Sequence, residues 1–452
     1  MRISLSERSI RSPNMPVLTN LVKWAFESIA DRGLTLLGKG FDATASIETL
    51  CAELISERGE ASGTALARAI IQRYRALAPA ARTRFFRGLL DQRWLADPKE
   101  VLELAQGYHQ HPGAAELSRL FAAVEPRRQE LLRRINMGPS GTETLVDMRS
   151  HLLTLLPNQP DLEPVNDDFA HLLSSWFNRG FLELRKIDWR TPAVVLEKLI
   201  QYEAVHEIRG WKDLRRRLDR DRRCFAFFHP ALPDQPLIFV EIALTQGTPS
   251  NIQPLIDDKT ESADPANADT AVFYSINNCL DGLRGISFGA FLLKQVIHEL
   301  TSEGLPIKTF VTLSPIPRFQ AWLLKQKPKL PGGVKAESLT AEILDRKTPE
   351  SKALGIELTR LCAQYLTSTK EGRALDPVAS FHLRNGASIE RILWMADTSD
   401  KGMSQSLGMM VNYLYRPARI ERNHEQYVKE GKVACSDGVQ TLLQTPLLEA
   451  RK

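Results

Sequence analysis

The densest chemistry in the chain lies in the run TAVFYSINNCLDGLRGISFGAFLLKQVIHEL, residues 270–300. β-Branched and aromatic residues predict a strand ending near Ile276. Gly282, Gly285 and Gly289 then predict a turn, and the apolar spacing beyond it an amphipathic helix opening near Gly289. A strand, a glycine turn and a helix N-terminus in that order build an anion site, because glycines let backbone N–H groups approach a ligand and the first helical turn adds unpaired donors and partial positive charge. The spacing fits neither the dinucleotide nor the P-loop fingerprint, and no Gly-Lys-Ser/Thr stands ready to hold magnesium and a γ-phosphate, which argues against nucleotide hydrolysis. A tight turn that needs glycine only for its own backbone is the plain alternative. Cys51, Cys224, Cys279, Cys362 and Cys435 lie far apart, with no Cys-x-x-Cys pair, so neither a zinc site nor a disulfide framework is expected, and a reducing compartment is.

The elements that must position this turn fall into two textures. From about Leu18 to His171 apolar residues recur at helical spacing among Ala, Leu, Arg and Glu, with almost no β-branched runs, which predicts an all-helical bundle. Within it Leu117, Leu120, Phe121 and Val124 share one helix face, and Pro126 either kinks that helix or opens the next. The pairs Arg127-Arg128 and Arg133-Arg134 are interleaved with Glu125 and Glu130 and read as a solvated helix face. Residues 157–168, with three prolines and several acids, read as a linker. The expected division is a tail over 1–17, disordered or weakly transit-like, a helical bundle over 18–165 and a catalytic domain over 166–452. Met15 is an alternative start. Beyond Arg222 the runs 224–228, 236–244, 270–276 and 307–314 predict strands, interleaved with helical stretches such as 291–303, so the second domain is mixed α/β. The stretch 245–270 reads as a polar, mobile loop.

The glycine turn is closest to the pyrophosphate loop of acetyltransferase-type folds, which bind coenzyme A. The strand over 307–314 runs into Ser314-Pro315-Ile316-Pro317, and later comes Phe381-His382-Leu383-Arg384-Asn385-Gly386-Ala387. With Phe273-Tyr274-Ser275-Ile276, the glycine turn and Trp394-Met395-Ala396-Asp397, these segments resemble the malonyl-CoA decarboxylases throughout the second domain and, more loosely, the first. The resemblance implies a helical bundle followed by a catalytic domain of general N-acetyltransferase-like fold, tetramers, and cleavage of malonyl-CoA to acetyl-CoA and carbon dioxide. It implies Ser314 and His382 as the catalytic pair, with Ser275 and Tyr415 in support. It lays coenzyme A along Arg284, Gly285, Ile286, Ser287, Phe288, Gly289 and Ala290. The chain departs from the animal members at Ser287, where they carry Glu, and at Arg318, where they carry Gly.

These residue types suit that chemistry. Loss of carbon dioxide leaves an electron pair in the thioester enolate, so the substrate carries its own electron sink. Neither a metal nor an organic cofactor is expected. An imidazole with an ordinary pKa of about 6.5 transfers protons near neutrality, which makes His382 the expected proton donor to C2. Ser314 can hydrogen-bond the departing carboxylate or the thioester oxygen and orient the imidazole. It lacks the Gly-x-Ser-x-Gly elbow of one class of acyl-enzyme hydrolases. Asn385 either offers its amide to the ligand or takes a left-handed backbone conformation before Gly386. The other eight histidines have no motif around them.

At 452 residues, 43% hydrophobic and 25% charged, the composition is that of a globular chain and excludes collagen-like, disordered and disulfide-scaffold classes. A net charge of +5 with acids interspersed suits polyanionic small ligands as well as nucleic acid. No apolar run is long enough to span a membrane. The second reading is an acyl-CoA acyltransferase of the same fold, with His382 deprotonating an acceptor amine. The third is a nucleic-acid-binding protein, prompted by Arg215-Arg216-Arg217 and Arg222-Arg223. The expected partners are malonyl-CoA and acetyl-CoA, with no nucleic acid and no membrane. The expected setting is cytoplasmic and bacterial, rather than the mitochondrial matrix. The final Glu449-Ala450-Arg451-Lys452 lacks a Ser-Lys-Leu address.

Overall fold

The computed structural model describes residues 25–33, 42, 45–56, 59–286, 292–344 and 348–444. Both tails, Ser287, Phe288, Gly289 and Ala290 lie outside the described residues. The chain divides into two compact units. The first holds Met1–Leu182, His229–Pro233 and Leu280–Phe288, and the second holds Glu183–Phe228, Asp234–Cys279 and Gly289–Lys452.

The first unit is helical. Leu66, Ile70 and Tyr74 recur every four residues along helix Glu60–Ala76 and are buried, as are Leu131 and Ile135 of helix Arg127–Asn136 and Leu145, Met148 and Leu152 of helix Gly141–Leu155. Pro126 opens the 127–136 helix and does not kink the preceding one. The 157–168 stretch is not a linker: helix Glu163–Trp176 starts inside it, because Pro164 is tolerated in a first helical turn and Val165, Phe169, Leu172 and Leu173 supply a buried face. Nor is the basic run wholly solvated. Arg133 and Arg134 bridge Glu125 and Glu130, but Arg128 is buried against Asp168.

The second unit is built on an eight-stranded sheet. Its strands are β1 (Glu183–Ile187), β2 (Arg222–Phe228), β3 (Ile238–Thr245), β4 (Thr270–Asn278), β5 (Thr309–Thr312), β6 (Ser314–Pro315), β7 (Ser388–Leu393) and β8 (Met410–Tyr415). The order is β1-β2-β3-β4-β5-β8-β6, with β7 also on β8. Strands β1 to β4 are antiparallel, β4 and β5 are parallel, and β8 is antiparallel to β5, β6 and β7. A parallel pair needs a crossover, and the amphipathic helix Leu292–Ser302 lies between β4 and β5 in the chain. An antiparallel run closing on one parallel pair, with a helix between its two strands, is the N-acetyltransferase-like arrangement. Strands β2 to β4 are buried on both faces, which is why their sequences read as almost unbroken apolar runs. The 245–270 stretch is more ordered than a polar loop: helix Gln253–Ile256 drives Ile252 and Leu255 into a core with Val272, Tyr274, Val311, Leu313 and Met410.

Candidate active site

Ser314 sits where the parallel pairing with β4 ends. Phe273 pairs with Thr312, Leu313 N donates to Phe273 O, and Ser314 then pairs with Val411 of β8. His382 comes from helix Pro377–Arg384, whose start is fixed by Asp376: its carboxylate accepts from Val378 N and Ala379 N, both at 2.9 Å. These two elements bring the side chains together, with Ser314 Oγ 3.2 Å from His382 Nε2. The other imidazole nitrogen, Nδ1, lies 2.7 Å from Tyr415 Oη. Ser314 Oγ donates to Thr312 Oγ1 at 2.8 Å, and Thr312 Oγ1 also accepts from Tyr413 N at 3.0 Å. The ring of Tyr413 stacks on His382 at 4.4 Å between centroids. All of these residues are buried. Burial pushes the His382 imidazole down to about 3 and the Tyr415 phenol up, so both are neutral at neutral pH. This differs from the ordinary imidazole that the sequence suggested: the site favours neutral histidine until a negative charge arrives beside it.

Ser275 is placed otherwise. Its hydroxyl donates to both oxygens of Glu203, at 2.9 and 2.7 Å, and accepts from Asn277 Nδ2 at 2.7 Å. Glu203 also accepts from Asn277 Nδ2 and from the backbone of Val205 and His206. Across the strand pair from Ser275 lies Glu241, fully buried and bonded to Arg217 at 2.8 Å. Burial pushes Glu241 up to about 8, with Arg217 working against that rise and Glu203 adding to it.

Asn385 does not take the left-handed conformation. It has φ −84°, its amide donates to Phe381 O at 2.8 Å, and the positive φ falls on Gly386 at 83°. A side chain at 386 would strike Ile420 O.

In the first unit, Arg284 pairs with Asp281 at 2.5 Å, Gly285 has φ 80° and Ile286 is buried. Gly282 is there for close packing, since a Cβ would lie 1.9 Å from Val146 O. Arg149 holds the turn through Gly282 O at 2.6 Å and Arg284 O at 2.9 Å.

Of the arginine runs that prompted a nucleic-acid reading, all but the exposed Arg215 form ion pairs within the second unit. Arg216 pairs with Asp221, Arg217 with Glu241 and Asp213, Arg222 with Asp221, and Arg223 with Glu303. All five cysteines are free. Among the described residues no group of three or more His, Cys, Asp or Glu side chains could hold a metal ion, and no helix is long and apolar enough to cross a membrane.

Sequence reasoning missed Thr312, Tyr413, Glu203 and Asn277. Thr312 had a signal, since Thr-x-Ser on a strand puts both hydroxyls on one face. Glu203 had none: it ends a helix some seventy positions before its partners.

A sheet of this topology carrying a buried Ser-His-Tyr hydrogen-bond chain is an enzyme domain of the N-acetyltransferase-like class. Residues 180–452 match the family model "Malonyl-CoA decarboxylase C-terminal domain", and residues 94–177 match "Malonyl-CoA decarboxylase N-terminal domain". The mitochondrial malonyl-CoA decarboxylase of Rattus norvegicus is 35% identical over 410 residues, covering 82% of this chain and 83% of that protein. The solved malonyl-CoA decarboxylase of Rhodopseudomonas palustris is 45% identical with a TM-score of 0.81, over 87% of this chain and 98% of that one. That of Agrobacterium vitis is 48% identical with a TM-score of 0.80, over 89% and 100%. The chain belongs to the malonyl-CoA decarboxylase family.

Proposed function

We propose that this protein converts malonyl-CoA to acetyl-CoA and carbon dioxide, with Ser314 and His382 handling the proton. The observation that carries the residue assignment is the buried contact between Ser314 Oγ and His382 Nε2, backed by Tyr415. As the bond from the carboxylate carbon to C2 breaks, its electron pair passes into the thioester enolate and carbon dioxide leaves. C2 then takes one proton, so one proton is consumed per turnover. Ser314 and His382 supply hydrogen bonds to the developing enolate or the departing carboxylate. Substrate charge beside the imidazole favours its protonated form, opposing the effect of burial and readying His382 to deliver the proton to C2. Tyr415 fixes the ring from behind. Ser275 and Asn385, which the family resemblance also offered, are engaged elsewhere, Ser275 with Glu203 and Asn277 and Asn385 with Phe381 O at the end of the His382 helix. The family resemblance assigns coenzyme A to the segment Arg284 to Ala290, and the positive φ of Gly285 within it agrees with a turn that presents backbone N–H groups. The substrate's own thioester is the electron sink, so the reaction needs neither a metal nor an organic cofactor. A homotetramer is the expected form, on the family resemblance alone, and light scattering of the purified protein tests it.

The test is release of labelled carbon dioxide from carboxyl-labelled malonyl-CoA, with acetyl-CoA quantified beside it. Stoichiometric products that collapse in folded His382→Ala and Ser314→Ala support the reading. Free coenzyme A formed only when an amine acceptor is added would instead make the protein an acyltransferase.

A further inference from the structure

Thr312 is fully buried, and two neighbouring residues of β8 hold it. Asn412 Nδ2 donates to its carbonyl at 2.7 Å, and Tyr413 N donates to its hydroxyl at 3.0 Å. The register of β8 against β7 shifts between those same two residues, a bulge of the kind that re-aims side chains beside active sites. Thr312 Oγ1 is thereby held in place with a lone pair free, and Ser314 Oγ donates to it. A hydroxyl has one proton. With that proton given to Thr312, Ser314 can only accept from His382, which must then carry its hydrogen on Nε2 and accept at Nδ1 from Tyr415.

We propose that Thr312 is a positioning residue that sets the direction of the hydrogen-bond chain Tyr415→His382→Ser314→Thr312 and so keeps the His382 proton on the nitrogen facing Ser314. This rests on the decarboxylase reading only for the activity it affects, because the tautomer is a property of the free protein. Removing the acceptor frees the Ser314 proton to turn toward Nε2, which moves the imidazole hydrogen to Nδ1 and reverses the chain.

The experiment is carbon and nitrogen NMR of labelled His382 in wild type, Thr312→Val and Thr312→Ser, beside steady-state decarboxylation of malonyl-CoA. The expected results are the Nε2–H form in wild type and the Nδ1–H form in the Val variant. The Val variant should lose about 10²-fold in kcat with little change in KM, as for a misplaced reacting group, and Ser should restore both readouts. A wild type in the Nδ1–H form overturns the proposal even if the Val variant cannot be folded. So does a folded Val variant with wild-type kcat. A wild type that shows the Nε2–H form but releases no carbon dioxide refutes the decarboxylase reading and leaves the positioning role standing.

Discussion

Two buried polar networks share the second unit, and they are built on opposite principles. The chain through Tyr415, His382, Ser314 and Thr312 contains only neutral groups. The cluster of Glu203, Ser275, Asn277, Glu241 and Arg217 is built on ionisable groups, with Arg217 bonded to Glu241 and Glu203 holding Ser275, Asn277 and the backbone of Val205. A neutral chain can change protonation when a charged substrate arrives. A densely bonded cluster around buried acids resists replacement, because removing any member strands another in a low-dielectric interior. The first arrangement suits proton transfer, and the second suits holding the 203–206 loop onto the sheet.

The largest expected effect that separates them is kinetic. His382→Ala should lower decarboxylation by about 10²- to 10⁴-fold in the folded variant, a loss beyond what the cavity beside Tyr413 and the unpaired Tyr415 hydroxyl take from its stability. Arg217→Met should do the reverse. Above about pH 8, where Glu241 is ionised, it leaves that carboxylate buried without its partner and should cost about 3–5 kcal/mol in denaturant unfolding, most of it recovered in the double replacement Arg217→Met with Glu241→Leu. If the Arg217 single variant proves as stable as wild type, the division between the two networks fails.

The acid–base response sharpens the same comparison. His382 falls from 6.5 to about 3 on folding, so the native state refuses a proton that the unfolded chain accepts, and stability is lost as pH drops from 6.5 toward 3. Glu241 rises from 4.5 to about 8, so stability is lost as pH climbs across that window. Each slope is at most about 1.4 kcal/mol per pH unit. Unfolding free energy measured from pH 4 to 8 should therefore flatten on the acid side in His382→Asn and on the alkaline side in Glu241→Gln. Matching profiles for the two variants would contradict the assignment of opposite signs.

The uneven legibility of these networks in the sequence has a physical basis. Strands β2 to β5 were visible because burial on both faces makes their runs apolar, whereas β1 (ELRKI) and β7 (SIERIL) carry charges on a half-exposed face and gave no such signal. Ser314 and His382 lie 68 positions apart, so no local periodicity joins them, and they stood out through motif resemblance. The glycine turn was visible as a turn, but its glycines differ in purpose. Gly282 lets the backbone pack against Val146, and Gly285 takes a positive φ. The depressed pKa of His382 was invisible, since it depends on helix Pro377–Arg384 docking its ring among Tyr413, Tyr415 and Phe381.

The smallest expected effect concerns the element that delivers His382 to that position. Asp376 caps the 377–384 helix through two backbone amides, and Tyr365 Oη donates to its other oxygen at 3.3 Å. Losing an N-cap costs about 1 kcal/mol, so Asp376→Ala should lower the unfolding free energy by roughly that amount. Asp376→Asn, whose side-chain oxygen can still accept from the amides, should lower it by less. Because the cap fixes the first turn and His382 stands in the second, the Ala variant should also lose activity out of proportion to its stability, with the loss in kcat and not in KM. An Ala variant that is destabilised but keeps its full kcat would show that ring stacking on Tyr413 and the bond to Tyr415 hold the imidazole without help from the helix start.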